Sequence, residues 1–327
     1  MTILRQSANT ILVPGKLLPH ALGRLEENFS VIRIERSDPD LLSPEAAEKV
    51  AGIAAMTVVD ARLIDALPNL EIIANFGVGY DAVDAKHAAS KGIMVTNTPD
   101  VLTDEVADLA VGLLINTVRE LSKAEAWLRA GRWAGEGPYP LTKGTLRGRS
   151  IGIFGLGRIG MAVARRLEAF GLPISYHNRN KVEACPYTYH PTLLSLAEAV
   201  DTLICVAPGG AATEKVIGRE VFEALGPNGI FVNVGRGSTV DEEALAQALA
   251  DGTILSAGLD VFAREPHVPE SLLRVDNACL LPHVGSASVH TRQAMGDLMV
   301  DNLISWFNDG KALTPVPESV GIARRSA

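Results

Sequence analysis

Cysteine is scarce in this chain: 327 residues carry three, Cys185, Cys205 and Cys279. An odd count suits no disulfide framework, and the spacing fits no zinc or redox motif, so no metal is expected. Cys205 and Cys279 lie in apolar, strand-like runs and read as buried thiols. Positive charge is in deficit as well. Thirty Lys and Arg against 38 Asp and Glu give a net charge of −8, which argues against nucleic acid or an anionic membrane surface as the main partner. No apolar run approaches the length of a membrane span. The stretch Met1-Thr2-Ile3-Leu4-Arg5-Gln6-Ser7 lacks the basic-then-apolar layout of a secretory signal. Internal repeats and low-complexity segments are also missing. These absences together point to a protein of the reducing cytoplasm, without a membrane or nucleic-acid partner.

What is present is ordinary in bulk, with 47% apolar and 21% charged residues, and long enough for two domains. Short, often β-branched apolar runs alternate with helical patterns almost throughout, which predicts parallel sheets with crossover helices. Strand candidates in the first region are Ile11–Val13, Val31–Ile34, Gly52–Ala55, Glu71–Ala74 and Met94–Thr96. In the second they are Ile151–Phe154, Ile174–His177, Leu203–Val206, Ile230–Val234, Ile254–Leu259 and Ala278–Leu281. A long helical pattern starts near Thr103, a plausible N-cap followed by Asp104 and Glu105. Another runs from Arg292 to Phe307. Trp127–Trp133 and Gly135–Pro140 break the periodicity and read as an excursion from the core. The expected fold class is α/β, with two doubly wound domains. The first domain takes back the C-terminal tail.

Directly after the run Ile151–Phe154 comes Gly155-Leu156-Gly157-Arg158-Ile159-Gly160. In a dinucleotide site of this kind the first glycine permits the tight turn and the second lets backbone approach a pyrophosphate. The third allows close helix–strand packing, and the helix N-terminus offers N–H groups to the phosphates. A glycine-rich turn without a ligand is the alternative; the strand before and the helix after favour binding. Cofactor choice is read at the end of the next strand, Tyr176-His177-Asn178-Arg179-Asn180-Lys181. An NAD site usually carries an acid there for the ribose hydroxyls. Here there is none, while Arg179 and Lys181 offer cations for a 2′-phosphate. NADPH is therefore expected, with NADH possible but weaker; a plain solvated basic turn is the other reading.

Three residues downstream carry the chemistry. Arg236, in Asn233-Val234-Gly235-Arg236-Gly237, follows a strand's carboxyl end, where open α/β sheets bind ligands. A guanidinium there can hold a carboxylate and polarise the neighbouring carbonyl. Glu265 lies in Leu259-Asp260-Val261-Phe262-Ala263-Arg264-Glu265-Pro266, and His283 in Pro282-His283-Val284-Gly285-Ser286. Reduction of a ketone leaves an alkoxide that needs a proton, which histidine can donate near neutral pH. A carboxylate on its other ring nitrogen fixes the tautomer. Taken singly, each could be a surface or turn residue, and spacing alone does not join Glu265 to His283.

The chain resembles the D-isomer-specific 2-hydroxyacid dehydrogenases, nearest the glyoxylate/hydroxypyruvate and hydroxyphenylpyruvate reductases. Besides the stretches above, Asn75-Phe76-Gly77-Val78-Gly79-Tyr80-Asp81, Val95-Thr96-Asn97-Thr98-Pro99 and Pro282–Ala287 carry the resemblance, in family order over nearly the whole chain. It implies a Rossmann cofactor domain, residues 101–289, inserted in a flavodoxin-like substrate domain, residues 1–100 and 290–327. It implies Arg236 as binder of the 2-oxo acid, His283 as general acid/base and Glu265 as its partner. Val78, Gly79 and Ser286 would contact the substrate. Thr103, Gly155, Gly157, Arg158, Ile159, Gly160, Asn178, Arg179 and Asp260 would contact the cofactor, with Asp260 on the nicotinamide carboxamide. A segment at about 120–145 resembles the family's dimerisation arm, with Trp133 and Tyr139 as anchors of a homodimer. Two positions depart from many relatives: Asp100 stands where glycine is common, and Met56-Thr57-Val58 replaces a loop that is often more polar. The expectation is an NADPH-preferring reduction of small 2-oxo acids to D-2-hydroxy acids. The alternatives are an aryl-pyruvate reductase, or a nucleotide-sensing corepressor or scaffold on the same fold.

Overall fold

The computed structural model describes residues 9–324; the N-terminal stretch read above at residues 1–7 lies outside them. The chain divides into two compact units, Met1–Leu102 with Ser288–Ala327, and Thr103–Ala287.

In the first unit five strands, β1 (Thr10–Pro14), β2 (Ser30–Ile34), β3 (Val50–Ala55), β4 (Ile72–Asn75) and β5 (Met94–Thr96), form one sheet in the order 2-1-3-4-5. All its pairings are parallel, which is the flavodoxin-like order. Every residue of β1, β3, β4 and β5 is buried. A parallel sheet covered on both faces produces such continuous apolar runs, and this is why these strands are readable without alternation. The helix Val289–Asp309 starts from an N-cap, Ser288, whose Oγ accepts the N–H of Thr291 at 3.2 Å, and stops at left-handed Gly310. It lies against the helix Pro19–Asn28, where Arg24 donates to Asp297 and Asp301 at 2.8 Å each. The chain then returns to β5: the N–H of Val316 reaches the carbonyl of Val95, and Ser319 Oγ accepts the N–H of Val95.

The second unit carries β6 (Ile151–Phe154), β7 (Ile174–His177), β8 (Thr188–Tyr189), β9 (Thr202–Cys205), β10 (Ile230–Asn233), β11 (Ser256–Leu259) and β12 (Ala278–Leu280). Their order is 12-11-10-9-6-7-8, again all parallel. Counted from β6 this is the doubly wound Rossmann order with one further strand, and the winding reverses between β6 and β9. The helix Thr103–Arg119 packs on β11 so closely that a side chain at Gly258 would overlap Thr117 and Leu113.

Three expectations need correction, and one strand lies outside them. Thr103 is the first helical residue and not the residue before it. The two-residue edge strand β8 has no sequence signal, being too short to show a period. Cys279 is half-buried on the end strand of its sheet, whereas Cys205 is buried; all three thiols are free. Finally, residues 121–136 do not abandon helix. Glu120 adopts a left-handed conformation (φ 51°), then the helices Leu121–Arg129 and Arg132–Glu136 follow. Neither has a buried residue, so no apolar stripe marks their period in the sequence. Arg129–Glu125 and Arg132–Glu136 pairs support them from within, as does Trp127, which meets Tyr139 edge-on and lies under the Arg132 guanidinium. Among the described residues no helix is long and apolar enough to cross a membrane.

Candidate active site

The first unit offers one turn, Gly77–Gly79, after β4. Asn75 Nδ2 donates to the carbonyls of Gly77 and Gly79 at 3.2 and 3.0 Å, and Asn97 Nδ2 donates to Val78 O at 2.8 Å. The carbonyls of the turn are thus held, while the N–H groups of Val78 and Gly79 have no hydrogen-bond partner among the described residues. Such a turn is suited to an anion.

In the second unit the glycine-rich turn leaves β6 at the reversal point. Gly155 is left-handed (φ 98°), and a Cβ on it would come within 2.7 Å of the Ala207 backbone. A Cβ at Gly160 would overlap the Gly155 carbonyl, whereas one at Gly157 would meet nothing within 4 Å. The first and third glycines are therefore required by packing, and the second faces open space. The helix Arg158–Glu168 starts at Gly157 without a side-chain cap, so Ile159 and Gly160 present first-turn N–H groups that no cap takes up. Close backbone approach to an uncapped helix N-terminus fits a dinucleotide's pyrophosphate.

Asn178 has a structural task in addition to the cofactor contact expected of it. Its Oδ1 accepts the N–H of Leu156 at 2.6 Å, and its Nδ2 donates to the Leu156 carbonyl at 3.2 Å. It ties the end of β7 to the glycine-rich turn, as does the Gly155 N–H on the His177 carbonyl. Arg179, immediately after, is exposed, and so is Lys181.

The reacting groups follow β10, β11 and β12, three neighbouring parallel strands whose carboxyl ends share one edge. At the end of β10, the fully buried Asn233 donates from Nδ2 to the carbonyl of Arg236 at 3.0 Å and accepts the N–H of Gly235. Thr239 Oγ1 donates to the same carbonyl at 2.7 Å. The backbone of Arg236 is thus fixed, and its side chain is half-buried. At Gly237 any side chain would overlap the backbone of Phe262 and Ala263, so the Arg236 loop lies directly on the segment leading to Glu265.

Glu265 and His283, 18 residues apart, meet: Nδ1 of His283 lies 2.7 Å from Oε2 of Glu265. The other oxygen, Oε1, accepts the N–H of Phe262 at 3.0 Å. Burial pushes the Glu265 carboxyl up, but the His283 contact, the Phe262 N–H and the charge of Arg236 outweigh it and hold it below the ordinary carboxylate range. All three chemical residues are therefore within electrostatic reach of one another.

His283 is one of the few non-glycine residues with positive φ, at 52°, a conformation that costs on the order of 1–2 kcal/mol. Asp260 sustains it. Only 1% exposed, it accepts the N–H of Val284 on Oδ1 at 2.7 Å and that of Gly285 on Oδ2 at 2.8 Å. Burial pushes its carboxyl up against the pull of these two bonds. Asp260 thus holds the turn behind His283, a task its expected nicotinamide role did not include. Ser286 is buried in the same turn.

Sequence reading gave no role to Asn233, or to Glu242, whose Oε1 accepts the N–H of Ala263 at 2.8 Å. A polar residue ending an apolar strand was the available signal for Asn233; Glu242 had none. Removing the Asp260 carboxylate strands one buried and one part-buried N–H group, so Asp260→Ala should lower the unfolding free energy by about 2–4 kcal/mol. Urea unfolding measures this, and a loss under about 0.5 kcal/mol would show that the clamp carries no load.

Comparison with known proteins agrees with this geometry. Residues 111–285 match the family model described as D-isomer specific 2-hydroxyacid dehydrogenase, NAD binding domain. The chain is 44% identical to glyoxylate/hydroxypyruvate reductase A of Arabidopsis thaliana over 295 residues, 89% of this chain and 94% of the relative. It is 50% identical to hydroxyphenylpyruvate reductase of Plectranthus scutellarioides over the same shares of each. Among solved structures, the NADPH-dependent glyoxylate/hydroxypyruvate reductase of Sinorhizobium meliloti, in complex with NADP and malonate, superposes with a TM-score of 0.96 at 59% identity, covering 98% of this chain and all of that one. With a glycine-rich turn opening a Rossmann sheet and a Glu–His pair beside an arginine at the same strand ends, the chain belongs to the D-isomer-specific 2-hydroxyacid dehydrogenase family.

Proposed function

We propose that this protein reduces small 2-oxo acids, of the glyoxylate and hydroxypyruvate class, to D-2-hydroxy acids with NADPH in preference to NADH. The observation that carries the reading is the 2.7 Å contact between Glu265 and His283 with Arg236 close enough to act on Glu265. That arrangement speaks for catalysis over a nucleotide-sensing scaffold. With Nδ1 turned to Glu265, the proton exchanged with substrate belongs to Nε2 of His283. Arg236 holds the substrate carboxylate and draws electron density from the carbonyl. In the first unit the N–H groups of Val78 and Gly79 are taken as donors to a substrate carboxylate, and in the second Ser286 as a hydrogen-bonding group for substrate. A bound nicotinamide supplies the hydride to C2, and His283 protonates the oxygen.

The cofactor reading assigns the phosphates to the turn Gly155–Gly160, with Arg158 and Ile159 at the helix start, and takes Thr103, at the start of the helix Thr103–Arg119, as a further cofactor contact. Arg179 takes the 2′-phosphate. The NADPH dependence of the S. meliloti relative and the NADP in its structure support this choice. A second reading, an aryl-pyruvate side chain, is favoured by the Plectranthus relative and by Met56 and Val58, which are 38% and 54% exposed after β3. Exposed Leu121, Leu128 and Trp133 fit an arm that covers a second copy, hence a homodimer. Tyr139 instead donates to Glu120 at 2.6 Å within its own segment. Free thiols suit the cytoplasm.

Two substitutions test the assignment. His283→Ala should lower kcat by about 10³-fold while NADPH binding, followed by fluorescence titration, stays unchanged; normal turnover would remove His283 from the mechanism. Arg179→Ala should weaken NADPH about tenfold and leave NADH unaffected, and equal losses for both cofactors would defeat the phosphate assignment.

A further inference from the structure

We infer that Glu242 is a positioning residue for the Glu265–His283 pair, acting through the N–H of Ala263. The inference rests on the acid–base reading given above.

Glu265 sits on a poorly supported segment. Ala263, Arg264, Glu265, Pro266 and His267 are all exposed, between the end of β11 and the helix Glu270–Arg274. Within it, the His267 N–H returns to the Arg264 carbonyl at 2.8 Å, and the Phe262 N–H is taken by Glu265 itself. These bonds shape the turn from within; outside it, Gly237 packs on Phe262 and Ala263 and His283 meets Glu265, but neither is a hydrogen bond to the segment's own backbone. The next N–H, that of Ala263, reaches out to Glu242 Oε1 at 2.8 Å, 21 residues away in sequence. Two successive N–H groups therefore point at two carboxylates: one belongs to the pair, and the other comes from a different element.

That element is rigid. Glu242 opens the helix Glu242–Ala250, which is capped by Asp241 on the N–H of Ala244 and buries Leu245, Ala246, Ala248 and Leu249. Glu242 itself is half-buried, and burial pushes its carboxyl up against the pull of the Ala263 N–H. Glu243, Arg264 and Lys215 are the charged groups that act on it; His283 and Arg236 act on Glu265, and His283 and Glu265 on Asp260. An acid at a helix start has a bland use, offsetting the helix dipole. The Ala263 bond gives it a second one. A partner carboxylate displaced by about 1 Å loses its contact with the histidine, so a tie that fixes the Glu265 backbone fixes the proton donor.

The test compares wild type, E242A, E242Q and E265Q. It reads kcat/KM against pH and the Glu265 carboxyl titration by carbon NMR in the ligand-free protein. Glu265 lies below the ordinary range because of its partners, so activity that needs its carboxylate persists on the acid side. Loosening the segment in E242A should raise the Glu265 pKa and move the acid limb up by about half a pH unit, with kcat/KM falling about tenfold at neutral pH. Loss of the Glu242 charge alone acts in the opposite direction, because removing a nearby negative charge favours ionised Glu265. E242Q keeps an acceptor oxygen for Ala263 and should restore the limb toward wild type. A Glu265 titration that is unmoved or lowered in E242A, or a limb that E242Q moves as far as E242A, would overturn the inference. If E265Q itself leaves the acid limb in place, the acid–base reading fails, and this inference with it.

Discussion

The site hangs on one hydrogen bond, that between Oε2 of Glu265 and Nδ1 of His283, 2.7 Å long. It joins two loops that follow different strands, and neither loop holds its own residue in place unaided. His283 needs a left-handed backbone that Asp260 sustains from beneath with both carboxylate oxygens. Glu265 lies on an exposed turn that reaches a stable element through Ala263 and Glu242. The contact is worth little at an open surface, where a histidine–carboxylate pair is screened and mobile. Held from both sides, it becomes a fixed proton donor of defined tautomer.

Parallel strands make the meeting possible. In β10, β11 and β12 every chain runs the same way, so Arg236, Glu265 and His283, each placed a few residues after its strand, arrive at one edge. The glycine-rich turn after β6 reaches the same edge, and glycine is needed where loops touch. Gly155 lies against Ala207, Gly235 against the Ala207 carbonyl and Gly237 against Phe262. The loops are thus packed on one another before any ligand arrives, which is the preorganisation that charge-stabilising catalysis depends on.

The central strands of both sheets were legible because parallel strands covered on both faces must be apolar throughout. The glycine-rich turn was legible because its three glycines answer to local geometry. Other features depend on partners distant in sequence. Asn178 is a tie to Leu156, Asp260 a clamp on Val284 and Gly285, and Glu242 an anchor for Ala263; in each case the residue type suggested a ligand or nothing, and only the fold shows the backbone it holds. The helices Leu121–Arg129 and Arg132–Glu136 were hidden for the opposite reason. They bury nothing within the chain, and hydrophobic period marks only what is buried.

The most direct test of the account is transfer of label. Wild-type protein would be given NADPH carrying deuterium at both nicotinamide C4 positions with hydroxypyruvate, and the product analysed by NMR and chiral chromatography. The account predicts a D-2-hydroxy acid with deuterium at C2, formed in step with NADPH oxidation. An L product, deuterium lost to solvent, or no reduction of hydroxypyruvate or any other 2-oxo acid would contradict it.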